Sequence, residues 1–237
     1  MDKAPQLVIV IPVYNEEAVV ASVIEKWAVM ARGLNVPFVI CAYDDGAKDN
    51  SLAQLGKVAI SVPELVVTTK PNQGHGPSIL GGYLKNLHAE WIFQVDSDDE
   101  MDPTHFKQLW DKRNAYDFLI GNRLHRESPL ARKLISAIAR LSVTLFYGGG
   151  VSDVNCPYRL MRTASFSGLF PAMGMETFAP NVIVSGYACA RNLRILEIPV
   201  PFRPRTTGKV SIVKWRLVQA AMQSFMQTIT FRFKLPA

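Results

Sequence analysis

The sequence predicts an α/β domain in which helices flank a mostly parallel sheet. Runs of β-branched and aromatic residues alternate with amphipathic segments, which is the pattern of successive βαβ units. Four of the predicted strands end in polar or acidic residues, as expected where an open sheet binds a ligand at its carboxyl edge. With 237 residues, 49% of them hydrophobic, the chain is long enough to bury one good core.

The first half of the chain supplies most of the predicted strands. Leu7–Val13 is a continuous apolar run, typical of a strand buried on both faces. Residues 14–31 are predicted to form a helix, because their apolar residues recur at helical spacing. Further strands are predicted at residues 36–43, 65–69, 91–95 and 118–121, with helices beginning at Asp49 or Asn50 and covering residues 78–87 and 103–113.

The second half has a different pattern. Residues 129–147 predict a helix that ends at three consecutive glycines, and residues 195–202 predict a strand that two prolines place at a sheet edge. Residues 212–235 predict an amphipathic helix whose stripe includes Trp215, Phe225 and Phe233. This helix is expected either to lie in a membrane interface or to pack on the core. We therefore divide the chain into a domain at residues 1–211 and a basic C-terminal helix at 212–237.

The net charge of +6 conceals a strong asymmetry along the chain. Residues 1–122 carry a net charge of −6, residues 123–200 carry +5, and residues 201–237 carry +7 with no acidic residue. Such a chain is suited to hold a metal–nucleotide complex on its acidic part and an anionic partner on its basic part. Basic tails also serve simply as solubilising segments. No RNA-binding motif accompanies the basic residues, so we expect no nucleic-acid partner.

The most informative segment is the acidic run that follows the fourth predicted strand. Five carboxylates fall within seven residues there, and such a cluster repels itself unless a cation lies among them. A divalent cation such as Mg²⁺ or Mn²⁺ takes a few carboxylates together with substrate phosphate oxygens. The alternative is a solvated turn with Asp102 as helix N-cap and Pro103 at the first helical position. The acidic residues are Asp96, Asp98, Asp99, Glu100 and Asp102.

Four polar segments at successive strand ends together resemble a known enzyme family. The chain is similar to family 2 glycosyltransferases with the GT-A nucleotide-diphosphosugar transferase fold, and most similar to the branch that acts on dolichol-phosphate and other polyprenyl phosphates, such as the mannosyltransferases. The resemblance covers residues 7 to about 211. The segments that carry it are residues 11–17 (Ile-Pro-Val-Tyr-Asn-Glu-Glu), 43–49, 72–76, 95–103, 120–123, 153–159 and 203–209.

The resemblance implies a role for individual residues of this chain. It implies that the donor nucleotide-sugar contacts Pro12, Tyr14, Glu16, Asp44 and Asp96. It implies that the divalent metal, Mg²⁺ or Mn²⁺, is held by Asp96, Asp98 and Glu100, with Asp98 as a catalytic residue. Basic residues are implied to bind the acceptor phosphate or the donor diphosphate: Arg123, Arg132 and Arg205 as catalytic residues, with Arg123, Arg132 and Ser136 on the acceptor phosphate.

These roles imply an inverting transfer of a hexose from a nucleotide-diphosphosugar to a polyprenyl phosphate. A lipid phosphate is already ionised at neutral pH, so it needs positioning rather than a strong base. Two alternatives stay open: a saccharide hydroxyl acceptor with Asp99 as general base, and a non-catalytic module that binds nucleotide-sugars. Residues 155–159 and 208–211 depart from the family pattern, and both segments lie on the acceptor side.

The sequence also bears on the compartment. Three separated cysteines argue for a reducing environment. We identify neither a signal peptide nor an apolar run of about eighteen residues, the length a membrane span needs. A cytoplasmic protein that associates peripherally with the cytoplasmic face of a membrane is therefore expected.

Overall fold

The computed structural model describes residues 4–124, 130–203 and 214–235, which form a seven-stranded sheet flanked by helices. The strands are β1 (Leu7–Val13), β2 (Phe38–Asp44), β3 (Leu65–Thr69), β4 (Trp91–Gln94), β5 (Phe118–Leu124), β6 (Arg159–Arg162) and β7 (Ile195–Pro201). The helices are α1 (Val20–Arg32), α2 (Ser51–Ser61), α3 (His75–Lys85), α4 (Phe106–Lys112), α5 (Leu130–Tyr147), α6 (Thr163–Phe166), α7 (Leu169–Ala172), α8 (Pro180–Ala190) and α9 (Lys214–Arg232).

The strand order is β3-β2-β1-β4-β6-β5-β7, and β6 alone in this sheet runs antiparallel to its neighbours. The prediction of a mostly parallel sheet is therefore confirmed. The parallel strands bring their carboxyl ends to one edge, so the segments after β1, β2, β4 and β5 meet there. β7 lies at the edge of the sheet, as its prolines predict.

Among the element boundaries that differ from the sequence-based expectation, two differ for evident local reasons. The first helix begins at Val20 rather than near residue 14, because Asn15 takes a left-handed conformation with φ of 56° and turns the chain at the end of β1. The third helix begins at His75 rather than Ser78, directly after Gly74, whose φ is 101°. In both places the deviation shapes the edge of the sheet that carries the acidic residues.

A cluster of aromatic side chains packs between the elements that flank the acidic segment. It consists of Trp27 on α1, Phe93 on β4, Phe106 on α4 and Tyr158 just before β6, with ring centroids 4.6–6.0 Å apart. All four side chains are buried. The Tyr158 hydroxyl donates to the Asp102 carbonyl at 3.3 Å. The loop that follows β4 is therefore fixed at both of its ends.

The C-terminal helix packs on the core through its last turns. The Tyr147 hydroxyl donates to the Thr228 carbonyl at 2.6 Å, and Arg232 Nε donates to the Phe146 carbonyl at 2.7 Å. Phe231 is buried, whereas Met222, Met226 and Phe233 are exposed. The helix thus contacts the core and also presents apolar side chains to solvent. The predicted boundary at residue 211 lies outside the described residues and stays a prediction.

Candidate active site

The carboxyl edge of the sheet gathers most of the residues that the sequence indicates. The register pairs Pro12 with Tyr43 and Val13 with Asp44, so the turn after β1 lies beside the end of β2. Pro12 and Glu16 are buried there, and Tyr14 is half-buried. The Glu16 amide donates to Ser51 Oγ at 2.7 Å, which ties this turn to the start of α2. The structure therefore brings Pro12, Tyr14, Glu16 and Asp44 together.

The Asp44 carboxylate is buried and anchors the end of β2. Its Oδ1 accepts from the Ala47 amide at 3.0 Å, and its Oδ2 accepts from Thr69 Oγ1 at 2.7 Å. Each carboxylate oxygen keeps further lone-pair capacity beyond one such bond. Asp44 is thus held in one orientation at the carboxyl edge of the sheet, where an open α/β sheet binds ligands.

Asp45 has a role that the sequence analysis did not assign. Its carboxylate pairs with Lys70 and accepts from the amides of Gln73 at 2.9 Å and Gly74 at 2.8 Å. It therefore fixes the loop that leads into α3. The Asp-Asp pair at the end of a buried strand was the available signal, because a second buried carboxylate there needs donors from a neighbouring segment.

Asp96 lies at the end of a hydrogen-bonded chain that begins on α3. The Tyr83 hydroxyl donates to Gln94 Oε1 at 2.9 Å, and Gln94 Nε2 donates to Asp96 Oδ1 at 3.3 Å. His75 Nε2 lies 3.7 Å from the same oxygen. Asp96 thus lies where β4, the start of α3 and the acidic loop meet.

Asp98 has an environment that disfavours its charge. Burial, together with the negative charges of Asp96 and Glu100, raises its pKa to about 8. The Glu100 amide donates to Asp98 Oδ1 at 3.3 Å, and within the described residues Asp98 forms no salt bridge. A carboxylate in this position is stabilised by an added cation.

The donor set fits a divalent cation that takes most of its ligands from a substrate. Within the described residues, no three His, Cys, Asp or Glu side chains are arranged to hold a metal ion by themselves. Mg²⁺ is usually held by one or two carboxylates together with substrate phosphates and water, so a complete protein cage is not required. The carboxylates of Asp96 and Asp98, with Glu100 beside them, satisfy that smaller requirement.

The conformation of Asp99 separates it from its acidic neighbours. Its φ is 58°, and its carboxylate accepts from Lys26 Nζ on α1 at 2.6 Å. An acid already engaged by an ammonium group is a poor candidate for removing a proton from an acceptor hydroxyl. Asp102, by contrast, caps the following turn by accepting from the Thr104 amide at 2.8 Å, as the capping interpretation predicts for that residue.

Arg123 lies near the carboxyl end of β5 and is almost fully buried. Its Nε and Nη2 donate to the two carboxylate oxygens of Asp153, at 2.6 and 2.9 Å. Burial alone would lower the pKa of this guanidinium, but the hydrogen bonds to Asp153 raise it. The negative charge of Asp96 also acts to raise the pKa of Arg123.

The structure describes the other predicted phosphate-binding residues only in part. Ser136 is exposed on α5, and Arg132 lies on the same helix, although its side chain is outside the described residues, as is Arg205. The segment just before Arg205 does approach the acidic loop. Phe202 forms an antiparallel bridge with Met101, and Arg203 pairs with Asp102 at 2.6 Å.

The raised pKa of Asp98 predicts that the metal-free protein loses stability as the pH rises and Asp98 ionises. A carboxyl whose pKa rises on folding stabilises the fold at low pH, and this contribution is lost as the pH rises through the folded pKa of about 8. Asp98→Asn removes the titration. At pH 8.5 and in the presence of a chelator, we therefore expect Asp98→Asn to melt at least about 2–4 °C above the unsubstituted protein. This shift corresponds to about 1 kcal/mol in the free energy of unfolding.

The difference in melting temperature should shrink steadily as the pH falls towards about 4, the ordinary pKa of an Asp, because only below that pH is Asp98 protonated in both the folded and the unfolded chain. Thermal denaturation in EDTA between pH 5 and pH 9 measures it. An equal difference at all pH values would show that Asp98 does not titrate in this range.

Comparison with known proteins identifies the family. The model of glycosyl transferase family 2 matches residues 8–170, which is more than half of the chain. Two similar proteins are named undecaprenyl-phosphate 4-deoxy-4-formamido-L-arabinose transferase. The one from Yersinia enterocolitica is 28% identical over 219 residues, and the one from Pseudomonas paraeruginosa is 26% identical over 213 residues. These alignments cover 90% and 89% of this chain but 65% and 61% of those proteins.

Solved structures share the fold at low sequence identity. Glucosyl-3-phosphoglycerate synthase from Mycobacterium tuberculosis, in complex with Mn²⁺, UDP-glucose and phosphoglyceric acid, superposes with a TM-score of 0.67 at 16% identity. The match covers 98% of this chain and 81% of that one. The family match and the shared fold agree with the family and fold that the sequence motifs indicated. This chain belongs to glycosyl transferase family 2.

Proposed function

We propose that this protein is an inverting glycosyltransferase that moves a hexose from a nucleotide-diphosphosugar to a polyprenyl phosphate. The observation that carries the proposal is the convergence of the β1 turn, Asp44 and the acidic loop at one edge of a family 2 fold. The similar proteins are named for transfer to undecaprenyl phosphate, which supports a lipid-phosphate acceptor.

The donor is expected to lie across the carboxyl ends of β1, β2 and β4. Asp44 is oriented for hydrogen bonding to the base or ribose, and Pro12, Tyr14 and Glu16 form the adjacent wall. Asp96 and Asp98 would hold Mg²⁺ or Mn²⁺, with Glu100 as a further ligand. When bound, the metal neutralises charge that develops on the leaving diphosphate. The structural neighbours named for complexes with Mn²⁺ and UDP-glucose support a divalent metal.

The acceptor phosphate needs little chemistry from the protein, because its oxygen is already ionised. Arg123, Arg132 and Arg205, with Ser136, would bind and orient it. In the part of the chain that the structure describes, no carboxylate is recognisable as a covalent nucleophile, so we expect a single displacement with inversion. The alternative saccharide acceptor needs a base, and the candidate Asp99 is engaged by Lys26. A module without activity would have no need for the cluster around Asp98.

A donor panel tests the proposal directly. Purified protein is incubated with UDP-glucose, GDP-mannose and other nucleotide-sugars, with Mg²⁺, Mn²⁺ or EDTA, and with a short polyprenyl phosphate. We expect metal-dependent glycosyl transfer from one donor, and NMR of the product should show the anomeric configuration opposite to that of the donor. Retention would refute a single displacement. Transfer to a saccharide but not to the lipid phosphate would refute the proposed acceptor.

We also propose that the protein works peripherally at the cytoplasmic face of a membrane. No helix among the described residues is long and apolar enough to cross a bilayer. Residues 201–237 carry seven basic residues and no acid. Exposed apolar side chains on α5, on α9 and directly after α9 lie in this basic half of the chain, namely Ile138, Leu141, Leu145, Met222, Met226 and Phe233. Basic charge and an apolar face together favour an anionic lipid surface.

Liposome co-sedimentation tests this membrane association. We expect binding to anionic vesicles at low salt that weakens as salt is added. The double substitution of Met222 and Met226 by Gln should reduce binding severalfold without disturbing the core, since both side chains are more than half exposed. The matched control substitutes Gln for Val29 on α1 and Ile60 on α2, which are at least as exposed as the two methionines. Equal binding by both double variants would refute a role for α9.

A further inference from the structure

Asp153 holds the guanidinium of Arg123 in one orientation. Both carboxylate oxygens accept from it, Oδ2 from Nε and Oδ1 from Nη2. The side chains of Arg123 and Asp153 are 7% and 18% exposed, so solvent screens the pair little. A guanidinium has five N–H donors, and this pairing uses two of them, one at Nε and one at Nη2. Within residues 4–124, 130–203 and 214–235 no partner takes the Nη1 donors or the second donor of Nη2, so these can bind another oxygen ligand.

The loop that carries Asp153 is itself fixed by a buried cation. Arg159 is fully buried on β6, and its guanidinium donates to the carbonyls of Cys156, Val154 and Asn181 at 2.6–3.2 Å. The Cys156 amide donates to the Asp153 carbonyl at 3.0 Å. A buried charged group that is hydrogen-bonded in this way is costly to displace. Arg159 therefore holds the backbone around Asp153 in one conformation.

We infer that Asp153 is a positioning residue that presents the unused N–H donors of Arg123 to the phosphate of the lipid acceptor. This inference rests on the proposed function. A bidentate carboxylate removes rotational freedom from the arginine before the substrate arrives, which lowers the entropic cost of binding a second anion.

The opposite role would be a mask, in which the phosphate must displace Asp153 to reach Arg123. The side-on geometry argues against it, because the carboxylate occupies Nε and Nη2 and leaves the Nη1 donors available. The two roles predict opposite effects of the same substitution. A positioning residue raises the affinity for the acceptor, whereas a mask lowers it.

The test compares Asp153→Asn with Asp117→Asn. Asp117 precedes the same strand at the opposite edge of the sheet, and its 14% exposed carboxylate pairs with Arg194 at 2.8 Å and Arg162 at 3.3 Å. For Asp153→Asn we expect about a tenfold increase in the KM for a short polyprenyl phosphate and in its Kd, measured by calorimetry, with the donor KM within twofold. Asp117→Asn should change neither constant.

A double variant establishes that Asp153 acts through Arg123. Arg123→Gln should weaken acceptor binding at least as much as Asp153→Asn, and adding Asp153→Asn to it should have no further effect. Unchanged or tighter acceptor binding by Asp153→Asn would overturn the inference, and so would additive effects in the double variant. If the unsubstituted chain binds the prenyl phosphate but transfers no sugar, the proposed function fails while the Kd values still decide the role of Asp153.

Discussion

Asp98→Ala should abolish metal-dependent glycosyl transfer while leaving the fold intact. Asp98 lies in a cluster of carboxylates whose mutual repulsion a bound cation would relieve. Losing the metal removes several kcal/mol of transition-state stabilisation, so we expect a rate at least about a thousandfold lower. Turnover at saturating donor and excess Mn²⁺ is the measurement. The binding of Mn²⁺ in the presence of nucleoside diphosphate should weaken in parallel.

The fold should survive this substitution, because among the described residues the Asp98 carboxylate bonds only to nearby backbone amides, its own and that of Glu100 at 3.3 Å. Circular dichroism and the melting temperature in EDTA check this. Asp111→Ala is the control, since Asp111 is an exposed acid on α4 that pairs with Lys107 one turn earlier. It should retain full activity. Turnover close to that of the unsubstituted protein in Asp98→Ala would remove the basis for the metal assignment.

The acidic loop could be predicted from sequence because its signal is local. A buried apolar strand followed at once by carboxylates fixes both the position of the acids and the edge of the sheet that carries them. The same reasoning placed Asp44 at the end of β2, but it extended the first helix back over the turn that follows β1. Each of these predictions needed only the strand, its direction and the residues that follow it.

Features that depend on distant partners could not be predicted in this way. The four residues of β6 begin and end with arginine, and one of these, Arg159, is fully buried, against the usual preference of that residue for the surface. Asp99 and Asp153 find their partners 73 and 30 residues away along the chain. The direction of a carboxylate within a cluster follows from such contacts, so a list of acids could not separate Asp99 from Asp98.

Gly76→Ala should destabilise the protein and weaken donor binding together. A Cβ at this position would lie 2.1 Å from the Thr177 carbonyl oxygen and 2.7 Å from that of Phe178, both backbone atoms. The opposing segment cannot easily retreat, because the Phe178 amide donates to Gln227 on α9 at 2.8 Å. The start of α3 must therefore move. We expect a loss of about 1–3 kcal/mol in the free energy of unfolding, measured by urea denaturation.

The displacement would reach the proposed donor site through two contacts. The Gly74 amide donates to Asp45 at 2.8 Å, and the His75 ring lies 3.7 Å from Asp96, so a shift of the first turn of α3 disturbs the loop and the acid that face the nucleotide. Gly81→Ala on the same helix is the matched control, because its nearest neighbour is the flexible Met175 Cε at 3.9 Å. It should stabilise the helix by up to about 1 kcal/mol and leave the donor KM unchanged. If both alanine variants unfold at the same urea concentration, the close approach of α3 to residues 177–178 does not hold the site in place.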